Sequence, residues 1–251
     1  MPIRKAYGAL PDEFDPNDFR YQKVVAPSKR PDHVDLAPKG TVPIYDQGSL
    51  GSCMWWTVRE NIEHQQPDFN PSVLWGYYKT RVKLHTTHED SGSSSRSTLS
   101  VLLHEGCAPE ADWPYDVSKF TKQPNRKSYK DAKKEVIGGY TRLRTLDEIL
   151  DAMAAGNVVM LGYALCEEFE QYDVANTGMV PMPKTGIIGY HEMTGDGYKI
   201  GAQYEGGGIL KVRNHWAADF GDEGWVYIPF AYQKEPKLAL DAYVLNDCHV
   251  R

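Results

Sequence analysis

The chain has 251 residues, of which 41% are hydrophobic, 12% aromatic and 25% charged, enough apolar surface for one large domain or two small lobes; whole-chain disorder is excluded. Twenty-eight Lys and Arg against 34 Asp and Glu give a net charge of −6 with no basic block, which argues against nucleic acid or an anionic membrane surface as a partner. The longest apolar runs, such as residues 158–161, fall far short of the roughly 18 residues that span a bilayer.

Residues 1–34 differ from the rest. Pro2, Pro11, Pro16, Pro27 and Pro31 punctuate a charged stretch without sustained periodicity, which reads as an extended arm or a short pro-segment. Two roles stay open for it: packing along the surface, or covering a site until it is removed. Asp12, Glu13, Asp15 and Asp18 stand where a secretory signal would need an apolar stretch, so no signal peptide is expected. Four cysteines, at 53, 107, 166 and 248, make no disulfide framework, and a reduced, cytoplasmic setting is the expectation. No CxxC occurs, and His85-x-x-His88 in a polar stretch reads as a solvated loop, so neither a metal nor another cofactor is expected.

From Thr41 the pattern tightens. Val42, Ile44 and Tyr45 lead into a Gly/Ser loop, Asp46-Gln-Gly-Ser-Leu-Gly-Ser52. Residues 53–62 then run without Gly or Pro, and Met54, Trp55, Val58 and Ile62 sit at helical spacing, predicting a largely buried helix. Asn70 and Pro71 suit the start of a second helix over about 72–83. A polar loop over 90–95 precedes a third, about 97–105, closed by Gly106. Thr145-Leu-Asp-Glu148 is a capping-box start for a helix that Gly156 ends. Strand signals follow over 158–165, 186–193, 209–213 and 225–229, separated by glycine-rich turns. Helices first and strands later predict an α+β arrangement, and the cleft between two such parts is a common ligand site.

Cys53 is the leading chemical candidate. It sits where a Gly/Ser loop meets a helix, and unpaired N–H groups and the helix dipole there favour a thiolate. A free cysteine is also a small buried hydrophobe, so position alone leaves both readings open. Gln47, six positions earlier, adds an amide donor that two glycines could fold back toward an oxyanion.

At this point the chain resembles the papain-like cysteine peptidases, whose corresponding segment reads Gln-Gly-x-Cys-Gly-Ser-Cys-Trp. Leu50 stands in place of the first cysteine and Met54 in place of the tryptophan. His191, in Gly189-Tyr-His-Glu-Met193, lies 138 residues downstream of Cys53, within the family's window of roughly 130–150. Asn214-His-Trp-Ala217 resembles the family's Asn-Ser-Trp-Gly, and a glycine-rich turn at 205–208 accounts for its greater distance. Asp90-Ser-Gly-Ser93, Gly106-Cys-Ala-Pro-Glu110 and Trp113-Pro-Tyr115 resemble cleft-wall and linker segments of bacterial and viral members. The resemblance covers about residues 35–232.

The resemblance implies a papain-like fold: a helical lobe (about 41–135) against a strand-rich, β-barrel-like lobe (about 136–235), with the active site in the cleft between them. It implies a cysteine endopeptidase acting on extended peptide through a thiolate–imidazolium pair. Cys53 would be nucleophile, His191 acid and base, Asn214 its orienter, Gln47 an oxyanion donor, and Trp216 a shield. Gly92 and Ser91 would line the substrate cleft, with Tyr190 at the pocket for the residue second from the scissile bond. Glu192, where the family has a small residue, would either raise the His191 pKa or point to the other face of its strand. Two rival readings keep the fold: another acyl transfer, such as deamidation or isopeptide cleavage, or a non-catalytic component of a virion or larger assembly.

Overall fold

The computed structural model describes residues 7–12 and 30–250, so most of the N-terminal arm lies outside the described residues. Helix α1 is Cys53–Gln65, α2 is Val73–Leu84 and α3 is Ser95–Glu105, each within two or three residues of its sequence expectation. Their caps explain the boundaries. The Ser72 side chain accepts the Trp75 N–H, and Ser94 and Ser97 form a reciprocal capping box at the start of α3. The short α4 (Arg126–Ala132) follows, and α5 (Leu146–Ala154) starts where Thr145 accepts the Glu148 N–H.

A seven-stranded antiparallel sheet forms the second half. Along it lie β4 (Glu135–Leu143), β9 (Ala239–Val250), β5 (Val159–Cys166), β6 (Ile187–Ile200), β7 (Gly208–Arg213) and β8 (Trp225–Pro229), with β2 (His33–Asp35) paired to β6. The path ends at β4 and β8, which do not pair, so the sheet is open and the barrel expectation is corrected. Between β8 and β9 lies α7 (Phe230–Lys234), and α6 (Tyr172–Thr177) follows β5.

All eight residues of β5 are buried because the sheet is covered on both faces. Leu161, Tyr163 and Leu165 join a core with Met153, Met193, Val212 and Val226, while Met160 on the opposite face joins the core of α1–α3 with Tyr243 and Leu245. Period-two alternation thus divides one strand between two cores. The helices pack closely: a Cβ on Gly76 of α2 would fall 2.2 Å from the Trp55 ring, whose Nε1 donates to Thr80 Oγ1 at 2.8 Å.

Candidate active site

Cys53 is the first residue of α1 and is fully buried. The loop before it is tied down on both sides. Tyr115 Oη donates to the Gln47 carbonyl at 2.8 Å and lies 2.8 Å from Ser52 Oγ, while the Asp90 carboxylate accepts the Gly51 N–H at 3.0 Å. Ser52 therefore spends its hydroxyl on Tyr115 rather than on capping α1. Gln47 is buried, and its Nε2 donates to the Leu50 carbonyl at 3.0 Å, beside the sulfur-bearing turn.

Across the interface, β6 carries His191 and the end of β7 carries Asn214. The imidazole Nε2 lies 2.8 Å from Asn214 Oδ1, the geometry of a ring N–H donating to the amide oxygen. Nδ1 is buried and makes no hydrogen bond. Trp216 lies over the pair at 5.0 Å from the His191 ring, and Phe169 and Phe220 back it edge-on at 5.5 and 5.0 Å. Asp46 bridges to Trp216, fastening the loop before Cys53 to the segment after Asn214. Ala217 takes the position of the family glycine with φ 64°, a left-handed conformation uncommon for alanine.

Burial dominates the electrostatics. It pushes the Cys53 thiol up to about 12, against smaller opposite contributions from backbone groups of Glu192, Gly8 and Met54. It pushes His191 down to about 3, helped by His215. Burial of the covered site thus opposes the thiolate–imidazolium pair expected from sequence, raising the thiol pKa and lowering that of the imidazole. Glu192 leaves His191 alone: the two side chains alternate across β6, and no carboxylate raises the imidazole pKa.

The cover is the arm. Tyr7 stands edge-on to His191 and Trp216 at 6.4 and 5.9 Å, with its hydroxyl bonded to Glu170. Gly8 accepts the Ser93 N–H at 2.8 Å, and β1 (Ala9–Leu10) pairs in parallel with β3 (Ser93–Ser94). A Cβ on Gly8 would fall 2.0 Å from the Gly51 carbonyl oxygen. Gly92, at φ 71°, packs equally closely on Gly8. Tyr190 is partly buried against the core of α1–α3, and the Ser91 hydroxyl turns to Thr86 at 2.7 Å.

Sequence reasoning missed a buried ionic group beneath the site. Glu60 lies two turns after Cys53 on α1, and its Oε2 is 3.0 Å from His215 Nε2. Arg213 lies 3.6 Å from the other Glu60 oxygen and donates to Asp196 at 3.0 Å, which also accepts the Trp225 Nε1 proton. All four charged or polar partners are buried. Burial opposes ionisation of Glu60, yet Arg213 and His215 outweigh it and hold the carboxyl below its usual range. The signal was the pair flanking Asn214, Arg213 at the end of β7 and His215 just after it, two ionisable side chains beside the predicted orienter.

All four cysteines are free and buried. No helix among the described residues is long and apolar enough to cross a membrane.

No family model matches the chain. It is 29% identical over 219 residues to an uncharacterized peptidase C1-like protein of Acanthamoeba polyphaga mimivirus, covering 80% of this chain and 69% of that one. It is 26% identical to the cysteine protease Amb a 11.0101 of Ambrosia artemisiifolia, covering 88% of this chain but only 55% of the relative. Among solved structures, xylellain, a cysteine protease from Xylella fastidiosa, superposes with a TM-score of 0.87 at 27% identity, covering 99% of this chain and 98% of that one. The chain thus has the papain-like fold, and the relatives it resembles are cysteine peptidases.

Proposed function

We propose that Cys53, His191 and Asn214 carry peptide-bond hydrolysis, and that residues 7–12 of the arm hold the enzyme closed. The observation that supports the chemistry is the His191–Asn214 hydrogen bond at 2.8 Å, which leaves Nδ1 as the ring nitrogen without a hydrogen bond. Once the arm leaves and water enters, the burial that opposes charge on both groups is relieved. The N-terminus of α1 then favours the thiolate, and the imidazole takes its proton.

Sγ attacks the peptide carbonyl carbon, and the oxyanion is met by the Cys53 N–H and by Gln47, once its amide turns from Leu50. His191 gives its proton to the departing amine as the C–N bond breaks, leaving a thioester. Water then attacks the thioester, passing a proton to His191, and the acid product and the thiol are released. Asn214 keeps Nδ1 aimed at sulfur throughout, while Trp216 keeps water from the Nε2 bond. Endopeptidase cleavage of an extended segment fits a cleft that already holds a strand-like arm along Gly92 and Ser93.

Gly8 offers a clean test of the cover, because no side chain fits between it and Gly51. Gly8→Ala in the full chain is expected to raise the alkylation rate of Cys53 by at least about tenfold and to raise turnover of an unstructured peptide in parallel. Unchanged alkylation would show that the arm is merely a surface strap.

A further inference from the structure

Asn214 is held by its oxygen alone. Oδ1 lies 2.8 Å from His191 Nε2 and accepts the main-chain N–H of His215 at 2.8 Å, while Nδ2 is buried and makes no hydrogen bond. Nothing at Nδ2 therefore resists a half-turn of the amide that would exchange oxygen for nitrogen. The His215 N–H does resist it, since it can only donate and so demands the oxygen. With the oxygen fixed, the ring nitrogen of His191 that faces it must carry the hydrogen, and Nδ1 is left bare.

The rest of His215 holds that N–H in place. Its carbonyl accepts the Gln47 N–H at 2.9 Å, and its Nε2 lies 3.0 Å from Glu60 Oε2. Against the effect of burial, Arg213 and His215 hold the Glu60 carboxyl below its usual range, and a carboxylate only accepts, so Nε2 of His215 is the donor. The His215 ring is fully buried at 6.1 Å from the ring of His191, and its Nδ1 makes no hydrogen bond, so its polar anchor among the described residues is Glu60. His215 thus reaches the helix of Cys53 through its side chain, the loop of Gln47 through its carbonyl and the orienter through its N–H.

We propose that His215 is a positioning residue: clamped to Glu60, it presses its own main-chain N–H against Asn214 Oδ1 and so keeps the hydrogen of the His191 ring on Nε2. This deepens the peptidase reading and rests on it. Without the clamp, residues 214 and 215 are free to shift, and Asn214 and Gln47 move with them. A misplacement of about 1 Å is enough to cost on the order of 10²-fold in rate.

The test measures kcat and KM of the full-length chain on an unstructured fluorogenic peptide, beside His215→Leu and His215→Gln. Leucine fills the space without a donor, whereas the glutamine amide can place its Nε2 where the ring has its own. His215→Leu is expected to lower kcat by at least about tenfold and leave KM within about threefold, and His215→Gln to recover most of kcat. The arm competes with the peptide and so enters KM rather than kcat. A kcat for His215→Leu within about twofold of the parent, or an equal loss in both variants, overturns the proposal. Should His215→Leu fail to fold, His215→Gln decides alone: parent-like kcat supports the clamp, and a loss of about tenfold in the folded protein overturns it. Nitrogen-15 NMR of labelled histidine reads the same point without turnover. The Nε2–H form of His191 should dominate in the parent and in His215→Gln and give way to a mixture in His215→Leu; an unchanged His191 ring in folded His215→Leu overturns the proposal. A parent that shows these signals but turns over no peptide counts against the peptidase reading and leaves the clamp standing.

Discussion

Cys53→Ala is expected to lower hydrolysis of an unstructured peptide by at least about 10⁴-fold, with no saturable residual activity. The size follows from chemistry rather than binding. The substitution leaves the Gly92–Ser93 edge, the His191–Asn214 bond and Trp216 intact, so peptide still docks, but no atom remains to form the thioester. Stability should move by less than about 2 kcal/mol, since a small buried group is exchanged for a smaller apolar one. Circular dichroism and the melting temperature separate this outcome from a folding defect. Parent-like turnover in a folded Cys53→Ala protein would remove the nucleophile assignment.

Arg213→Met should produce the largest loss of stability among single substitutions near the site, about 3–5 kcal/mol, which for a chain of this size is on the order of 10 °C in melting temperature. Arg213 is 2% exposed and stands between two fully buried carboxylates, Glu60 and Asp196. Removing the guanidinium leaves both without their main compensating charge, and methionine fills the volume without supplying a donor. Both feel the loss: Arg213 is the first of the influences that hold the Glu60 carboxyl low, and Asp196 is left with only the Trp225 N–H. Because Glu60 lies on the helix of Cys53 and Arg213 precedes Asn214, the same group ties nucleophile and orienter into one frame. Activity of the variant at a permissive temperature should therefore fall in kcat more than rise in KM. A melting temperature within 2 °C of the parent, roughly 1 kcal/mol or less, would show the group to be incidental.

Cys53, His191 and Asn214 stood out because each sits in a short local segment whose residue types and order suggest the chemistry proposed for them. One helix was legible from its cap, Thr145, which accepts the Glu148 N–H; α2 starts from Ser72 rather than from the Asn70 read as its cap, and α3 from Ser94, two or three residues before its expected start. The two long strands β4 and β9 were not legible. β4 contains Gly138 and Gly139, residues depleted in strands, and β9 lies between two cores, so apolar residues fall on both of its faces and the alternation disappears. The Glu60–His215 pair joins residues 155 positions apart, a relation that no local pattern encodes. The arm is the sharpest case. Tyr7 reaches Glu170 and Gly8 fits against Gly51, yet in sequence they are an aromatic and a glycine in a proline-punctuated stretch. The same burial that closes the site also opposes the expected charge pair, raising the thiol pKa and lowering that of the imidazole.

The central claim is that one sulfur of four becomes nucleophilic through His191. Intact-mass and peptide-mapping analysis of the folded Gly8→Ala chain after exposure to a peptidyl epoxide addresses it most directly. A single adduct on Cys53, lost in the additional His191→Ala variant, is the predicted result. Adducts shared among Cys53, Cys107, Cys166 and Cys248, or a Cys53 adduct formed as fast without His191, would contradict it.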